Sequence, residues 1–254
     1  MQRRHLMLSP LALPGLFSSA CAVIDAPPVP SPTAGTQRAV ALDVPGLAEP
    51  VRCWLYEPVG YSAGGRPWPL VVFLHGSGER GRELERVAVH GPPKHARAGR
   101  HYPFLLCSPQ LDDNRRWQPA ELHALLGVLR QRWHIDPQRV LGTGLSLGGA
   151  GVWDWATSYP DDLAAIAPVC GFADAQGACL ARPVPVRAYH GDADTVVPVA
   201  AQQRAIDTLR ACGGQAELIV YPGVGHDSWN PAYDDPALVP WLMAQRAPSP
   251  RSRP

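Results

Sequence analysis

A serine between two glycines is the residue of this 254-residue chain best suited to chemistry. The stretch GLSLG, residues 144–148, follows an apolar run that starts at Val140 and precedes a segment of helical character. A strand that enters a helix through a very tight turn needs small residues there, because larger side chains would collide. This spacing predicts that the hydroxyl of Ser146 is exposed at the tip of the turn, where it can act as a nucleophile.

A serine hydroxyl is a poor nucleophile until a base takes its proton, and two later strand ends supply candidate partners. Asp194 lies in HGDAD after one apolar run, and His226 lies in GVGHDSW after the last one. His226 is the expected base, and Asp194 would hold its imidazole in the useful tautomer. Asp192 is the nearest rival of Asp194, whereas Asp227 is expected to hydrogen-bond within its own loop.

The elements that must position these side chains alternate between strand and helix. Apolar runs predict strands over residues 38–44, 51–57, 69–74, 103–108, 140–145, 163–169, 184–189 and 216–221. Helices are predicted over 119–132, 199–209 and 236–245, and from the serine turn to Tyr159, while GPP at 91–93 is expected in a loop. The first two strands, joined through Pro45-Gly46, predict an antiparallel hairpin. The rest indicates an α/β fold, a mostly parallel sheet with helices on both faces, which binds ligands at the carboxyl ends of its strands.

The motifs at those strand ends are similar to those of a known superfamily. The pieces VVFLHGSGERG, HGPPK, TGLSLGGAGVWDWA, HGDADTVVP and YPGVGHDSW lie between Pro69 and Trp241. Together they resemble the α/β-hydrolase superfamily, and within it bacterial carboxylesterase, phospholipase-like and dienelactone-hydrolase-like esterases of the prolyl-oligopeptidase-related clan. The resemblance implies an α/β-hydrolase fold, to which the N-terminal antiparallel hairpin predicted above would belong, and the segment lengths predict that it has no cap domain.

The resemblance also implies a chemistry and the residues that perform it. It implies a serine esterase that cleaves carboxylic esters through an acyl-serine intermediate, with Ser146, Asp194 and His226 as the triad in the chain order of this superfamily. The backbone N–H groups of Ser77 and Leu147 would bind the oxyanion. No metal and no organic cofactor are expected.

Four side chains near the expected cleft have open alternatives. Trp117 and Trp229 are candidates for substrate contact, and packing of loops is the alternative for both. Glu79 and Arg80 follow the glycine-rich end of a predicted strand, where they either touch substrate or form an ion pair that shapes the loop.

The other histidines are expected in supporting places. His75 and His190 each precede a glycine at a strand end, which favours a role in orienting the loop over catalysis. The remaining ones form no metal-binding pattern and are expected at the surface or in loops: His90, His95, His101, His123 and His134.

The first residues are typical of an export signal. Arg3 and Arg4 precede a short apolar stretch and then small residues, which predicts a signal over 1–22. Either Cys21 is lipidated and attaches the protein to a membrane, or a peptidase cleaves after Ala22. A Pro-rich tether at 23–36, an α/β-hydrolase domain at 37–247 and a tail at 248–254 would follow. The expected location is periplasmic, membrane-anchored or secreted.

Composition limits the partners. A net charge of +1 and 46% hydrophobic residues fit one domain with a sizeable core and give no indication of nucleic-acid binding. The six cysteines suit an exported protein. Cys170 and Cys179 are close enough in sequence to bridge a loop, whereas Cys53 and Cys107 are expected to pack within strands. The sequence leaves the oligomeric state open.

The short segment 171–183 cannot hold a cap, so we expect an open cleft and short-acyl or accessible ester substrates. A serine peptidase on the same fold and a non-catalytic exported binding lipoprotein are the alternatives.

Overall fold

The computed structural model describes residues 31–248. The predicted export signal with Cys21, the tether before residue 31 and the tail beyond residue 248 lie outside the described residues. Within 31–248, no helix is both long and apolar enough to cross a membrane.

Eight strands form one sheet, in the order β1-β2-β4-β3-β5-β6-β7-β8. The strands are β1 (Gln37–Leu42), β2 (Val51–Tyr56), β3 (Trp68–Leu74), β4 (Leu105–Pro109), β5 (Ile135–Leu145), β6 (Ala165–Val169), β7 (Val186–Gly191) and β8 (Ala216–Tyr221). Strand β2 pairs antiparallel with β1 and β4, and every other pair is parallel. The mostly parallel sheet with an N-terminal hairpin is therefore confirmed.

Helices cover both faces of the sheet. They are α1 (Gly91–Arg97), α2 (Pro119–Arg132), α3 (Leu147–Ser158), α4 (Val199–Ala211), α5 (Trp229–Asp234) and α6 (Leu238–Ala244). Strands β3, β4 and β6 are buried along their whole length, which explains their almost continuous apolar sequences. One core layer lies between the sheet and α2, α3 and α4, and the other between the sheet and α1, α5 and α6.

One prediction of local structure is wrong, and one short helix was not predicted. The GPP segment at 91–93 begins helix α1 instead of a loop, because proline is well tolerated in the first turn of a helix. The last predicted helix, 236–245, is present as α6, and the short helix α5, which ends before an extended Asp235, precedes it without having been predicted.

The disulfide also differs from the pairing that sequence proximity suggested. Cys179 bonds to Cys212, with their Cα atoms 5.7 Å apart, and links the 3₁₀ turn 178–181 to the end of α4. Cys170 forms no disulfide and is buried directly after β6. The residue before it, Val169, accepts a hydrogen bond from the Ser146 N–H. Cys53 and Cys107 are buried in adjacent strands, as expected.

The described part of the predicted tether, residues 31–36, contacts the domain. Ser31 Oγ donates to the Glu57 carboxylate at 2.6 Å, and the Thr33 hydroxyl donates to the same oxygen. Trp133 Nε1 donates to the other carboxylate oxygen at 2.9 Å. Burial would raise the pKa of Glu57, but these hydrogen bonds and the nearby charge of Arg38 lower it overall, so the buried carboxylate stays ionised.

Candidate active site

Ser146 occupies a strained turn between β5 and α3. Its backbone has φ 51° and ψ −114°, a conformation that costs a non-glycine residue about 1–3 kcal/mol. The Ser146 N–H donates to Val169 O at 2.9 Å, which ties the turn to the end of β6. The turn raises the Ser146 side chain above the carboxyl end of the sheet, and the serine is half-buried there.

The glycines beside the serine are required by close backbone contacts. A Cβ atom on Gly148 would lie 1.9 Å from Leu74 O, and one on Gly144 would lie 2.5 Å from Gly148 O. Both distances are far below van der Waals contact, so larger residues at either position would push β3, β5 and α3 apart.

Three predicted side chains form one hydrogen-bonded chain. His226 Nε2 lies 2.9 Å from Ser146 Oγ, and His226 Nδ1 lies 2.7 Å from Asp194 Oδ2. Because an ionised carboxylate only accepts, Nδ1 carries the proton and Nε2 is left to accept one from the serine. The arrangement can therefore remove the proton of Ser146.

The loop after β7 holds Asp194 in place and keeps it charged. Its Oδ1 accepts hydrogen bonds from the N–H groups of Val196 and Val197, each at 2.9 Å. Burial would raise the pKa of Asp194, but the hydrogen bonds from His226 and from these two N–H groups outweigh it and lower the pKa. Asp194 is thus an anion at neutral pH.

The rival acids lie elsewhere. Asp192 is exposed and accepts from the Gly223 N–H at 2.6 Å, so it joins the loop after β7 to the loop after β8. Asp227 is exposed, and its carboxylate lies 3.5 Å from the Asn230 amide.

His190 Nε2 donates to Val197 O at 2.8 Å and so holds the loop that carries Asp194.

Two backbone N–H groups predicted to bind an oxyanion lie on adjacent turns. Leu147 begins α3 and Ser77 begins the 3₁₀ turn 77–79, and the first N–H groups of a helical turn lack partners within it. The two turns touch, since a Cβ on Gly76 would lie 2.7 Å from the side chain of Leu145. The positive end of the α3 dipole also lies at Leu147, where it favours negative charge.

Trp117 and His75 lie beneath the loop that carries Ser77. Trp117 is buried, its Nε1 donates to His75 O at 3.1 Å, and its ring meets the His75 ring edge-on at 5.0 Å. His75 Nδ1 donates to Gly76 O at 2.7 Å while Nε2 accepts from the Leu111 N–H at 3.1 Å. Of the two alternatives for Trp117, this placement favours packing.

Trp229 stands beside the histidine. Its ring meets His226 edge-on at 5.6 Å, and its other neighbour is the His90 ring at 5.1 Å. His90 Nε2 lies 3.7 Å from a carboxylate oxygen of Glu79. No motif in the sequence assigned a role in the site to His90, which directly precedes helix α1. Glu79 faces this histidine instead of forming an ion pair with Arg80.

Comparison with known proteins identifies the family. The model of the Dienelactone hydrolase family matches residues 110–237, just over half of the chain, and the match includes Ser146, Asp194 and His226. The chain belongs to the dienelactone hydrolase family. Its mostly parallel sheet with helices on both faces agrees with the α/β-hydrolase fold of the esterase structure to which it is similar.

This dienelactone hydrolase family member is similar to proteins whose names refer to hydrolases. It is 30% identical over 223 residues to "Putative esterase NocK" of Nocardia uniformis subsp. tsuyamanensis, across 75% of this chain and 64% of that protein. The structure of a thermostable esterase superposes with a TM-score of 0.72 at 27% identity, over 84% of this chain and 64% of the other. The chain therefore spans just under two thirds of the length of both.

A more distant neighbour shares the fold alone. Dipeptidyl peptidase 4 of Porphyromonas gingivalis is 13% identical with a TM-score of 0.68, over 82% of this chain and 35% of that chain.

Residues 31–248 of the present chain contain no group of three or more His, Cys, Asp and Glu side chains placed to hold a metal ion.

Proposed function

We propose that the protein is a serine esterase that hydrolyses carboxylic esters through an acyl-serine intermediate. The observation that carries the proposal is the hydrogen-bonded chain from Ser146 Oγ through His226 to Asp194, built on a strained turn. Membership of the dienelactone hydrolase family supports the same reaction class.

In this mechanism His226 takes a proton and gives one up in each of two steps, acylation of Ser146 and hydrolysis of the acyl-serine. His226 Nε2 takes the hydroxyl proton as Ser146 Oγ attacks the ester carbonyl, and Asp194 stabilises the imidazolium. The N–H groups of Leu147 and Ser77 bind the oxyanion. Collapse of the tetrahedral intermediate breaks the ester bond, and His226 protonates the departing alcohol. Water then attacks the acyl-serine while His226 takes one of its protons, and His226 returns that proton to Ser146 Oγ as the carboxylic acid is released.

The proposed substrates are short-acyl esters or esters at accessible positions of larger molecules. Between β6 and β7 the chain forms only a 3₁₀ turn and loops, so this connection carries no cap over Ser146. Ser146, Leu147 and His226 are all half-buried, which leaves the hydroxyl reachable from solvent. We propose that Trp229, whose ring meets that of His226 edge-on at 5.6 Å, contacts the substrate.

We also propose that the protein is exported, on the basis of the sequence of residues 1–22. Mass spectrometry of the mature N-terminus checks this. A lipidated Cys21 indicates a membrane-anchored lipoprotein, a terminus at residue 23 indicates a cleaved secreted or periplasmic form, and a retained residue 1 contradicts export.

The test of the esterase is hydrolysis of p-nitrophenyl esters of increasing acyl length by the protein and by Ser146→Ala. We expect turnover of short esters, falling with acyl length, and a loss of about 10³-fold or more in Ser146→Ala. Peptide p-nitroanilides distinguish an esterase from a peptidase. Equal activity of parent and variant would contradict the role of Ser146.

A further inference from the structure

The loop that carries Ser77 is held by side-chain donors along its entire length. Every backbone carbonyl from His75 to Gly81 accepts a side-chain hydrogen bond. The pairs are His75 O with Trp117 Nε1 (3.1 Å), Gly76 O with His75 Nδ1 (2.7 Å), Ser77 O with Arg80 Nε (3.1 Å), Gly78 O with Arg86 Nη2 (2.9 Å), Glu79 O with Gln110 Nε2 (2.8 Å), Arg80 O with Arg86 Nη1 (2.9 Å) and Gly81 O with Gln110 Nε2 (2.8 Å).

Seven consecutive carbonyls bound in this way fix the orientation of the loop's peptide planes. The C=O and N–H groups of a trans peptide lie in one plane and point in opposite directions. Because Gly76 O is bound by His75, the N–H of Ser77 must point away from His75. Backbone donors that are fixed before reaction are the ones that stabilise an oxyanion most effectively.

Two of the donors hold the far end of the loop, and both come from outside it. Arg86, in the 3₁₀ turn 84–88, uses the two arms of its guanidinium on Gly78 O and Arg80 O. Gln110, directly after β4, uses its one amide nitrogen on Glu79 O and Gly81 O. The two residues therefore interleave, so that each holds alternate carbonyls of the stretch 78–81.

We infer that Arg86 and Gln110 are positioning residues that preorganise the oxyanion loop, with no contact of their own to the reacting atoms. This inference rests on the proposed esterase function. Trp117 and His75 fix the start of the loop in the core, while Arg86 and Gln110 fix its end. Ser77 lies between the two held ends, so loss of either outer donor loosens its N–H when charge develops on the substrate oxygen.

The experiment compares Arg86→Met, Arg86→Lys and Gln110→Met with the parent on a short p-nitrophenyl ester. Loss of a whole oxyanion donor costs about 10²–10³-fold in kcat, so loosening one should cost about 10-fold, with KM changed by less than about twofold. Arg86→Lys should lie between parent and Arg86→Met, because one ammonium cannot replace a fork that spans two carbonyls. If Arg86→Lys keeps the full kcat of the parent, a positive charge at this position is sufficient and the two-carbonyl fork is not required, which contradicts the inference.

Affinity for a boronic acid, which mimics the tetrahedral intermediate, gives a second readout. It should fall by the same factor as kcat/KM, while affinity for the product carboxylate stays constant. Arg210→Met is the matched control, since Arg210 is also exposed and also donates to a backbone carbonyl, Ala216 O at 2.8 Å, at the start of β8. Its kcat should equal that of the parent.

The outcomes separate this inference from the function on which it rests. If the parent and Ser146→Ala are equally inactive, the esterase proposal fails. If the parent is active and Arg86→Met and Gln110→Met keep its kcat and its boronate affinity, the esterase stands and the positioning role is overturned. A fall in kcat that Arg210→Met shares would also overturn it, because the effect would then reflect general destabilisation.

Discussion

At the scale of single residues, the choice between two neighbouring aspartates decides how His226 works. Asp194 contacts His226 Nδ1 at 2.7 Å, whereas Asp192 is bound to the Gly223 N–H in the next loop. The carboxylate at Nδ1 fixes the tautomer that leaves Nε2 free to take the serine proton and stabilises the imidazolium that forms.

Asp194→Asn should therefore lower kcat by about 10³–10⁴-fold with little change in fold, because an amide favours the wrong tautomer of His226. Asp192→Asn is the matched control, since its remaining side-chain oxygen can still accept from Gly223. We expect kcat of this control within about threefold of the parent. Steady-state hydrolysis of a short ester measures both, and the reverse ranking would assign the acid to Asp192.

The buried side chain of His75 should make the free energy of unfolding depend on pH. Burial lowers the pKa of His75 to about 4, the charges of Arg80 and Arg86 lower it too, and the hydrogen bond to Gly76 opposes them. The unfolded chain binds a proton at the ordinary pKa of about 6.5. Stability from neutral His75 is thus complete above pH 6.5 and is lost as the pH falls from 6.5 towards 4.

His75→Asn removes the titrating group and keeps a donor for Gly76 O. Between pH 7.5 and 4.5 the parent should lose about 2 to 3 kcal/mol more unfolding free energy than the variant. Urea denaturation at a series of pH values measures the difference. Identical pH dependence in both proteins would show that His75 does not stay neutral in the folded state.

At the scale of elements, the turn between β5 and α3 works only because three backbones approach closely. Gly148→Ala places a Cβ 1.9 Å from Leu74 O, so it should lower the unfolding free energy by at least about 3 kcal/mol. Gly127→Ala in α2 meets nothing within 4 Å and should raise it by about 0.5–1 kcal/mol. Chemical denaturation measures both, and equal effects would contradict the packing described here.

The elements that position the site were predictable because each carries its own pattern. The fully buried strands β3, β4 and β6 are almost wholly apolar. Ser146 directly follows β5, whereas Asp194 and His226 lie in the loops after β7 and β8. Helix α1 was missed because Pro92 and Pro93 usually indicate a loop, although both fit a first helical turn. Arg86 and Gln110 leave no pattern in sequence, because any long donor can bind a carbonyl that folding brings near.

At the scale of the whole molecule, the disulfide joins regions that are distant in sequence. Cys179 and Cys212 are 33 residues apart and link the turn between β6 and β7 to the end of α4. Sequence proximity suggested Cys170 as the partner of Cys179. The pairing with Cys212 was not predictable, because contact between residues so far apart in sequence depends on how the elements between them pack. The bridge lies outside the chain of Ser146, His226 and Asp194.

Replacing both bridged cysteines by serine should lower the unfolding free energy by about 3–4 kcal/mol, because the unfolded chain gains loop freedom. The melting temperature should fall by roughly 10 °C. Thermal denaturation with and without a reducing agent checks this. The reduced parent should match the double variant, reductant should not affect that variant, and kcat at 25 °C should be unchanged. A parent insensitive to reductant would contradict a stabilising bridge.

Covalent labelling with a fluorophosphonate, followed by peptide mapping, tests whether His226 activates Ser146 as a nucleophile. We expect one adduct per molecule, located on Ser146, absent from Ser146→Ala and formed about 10³-fold more slowly by His226→Ala. A folded parent that does not react, or an adduct on another residue, would contradict it.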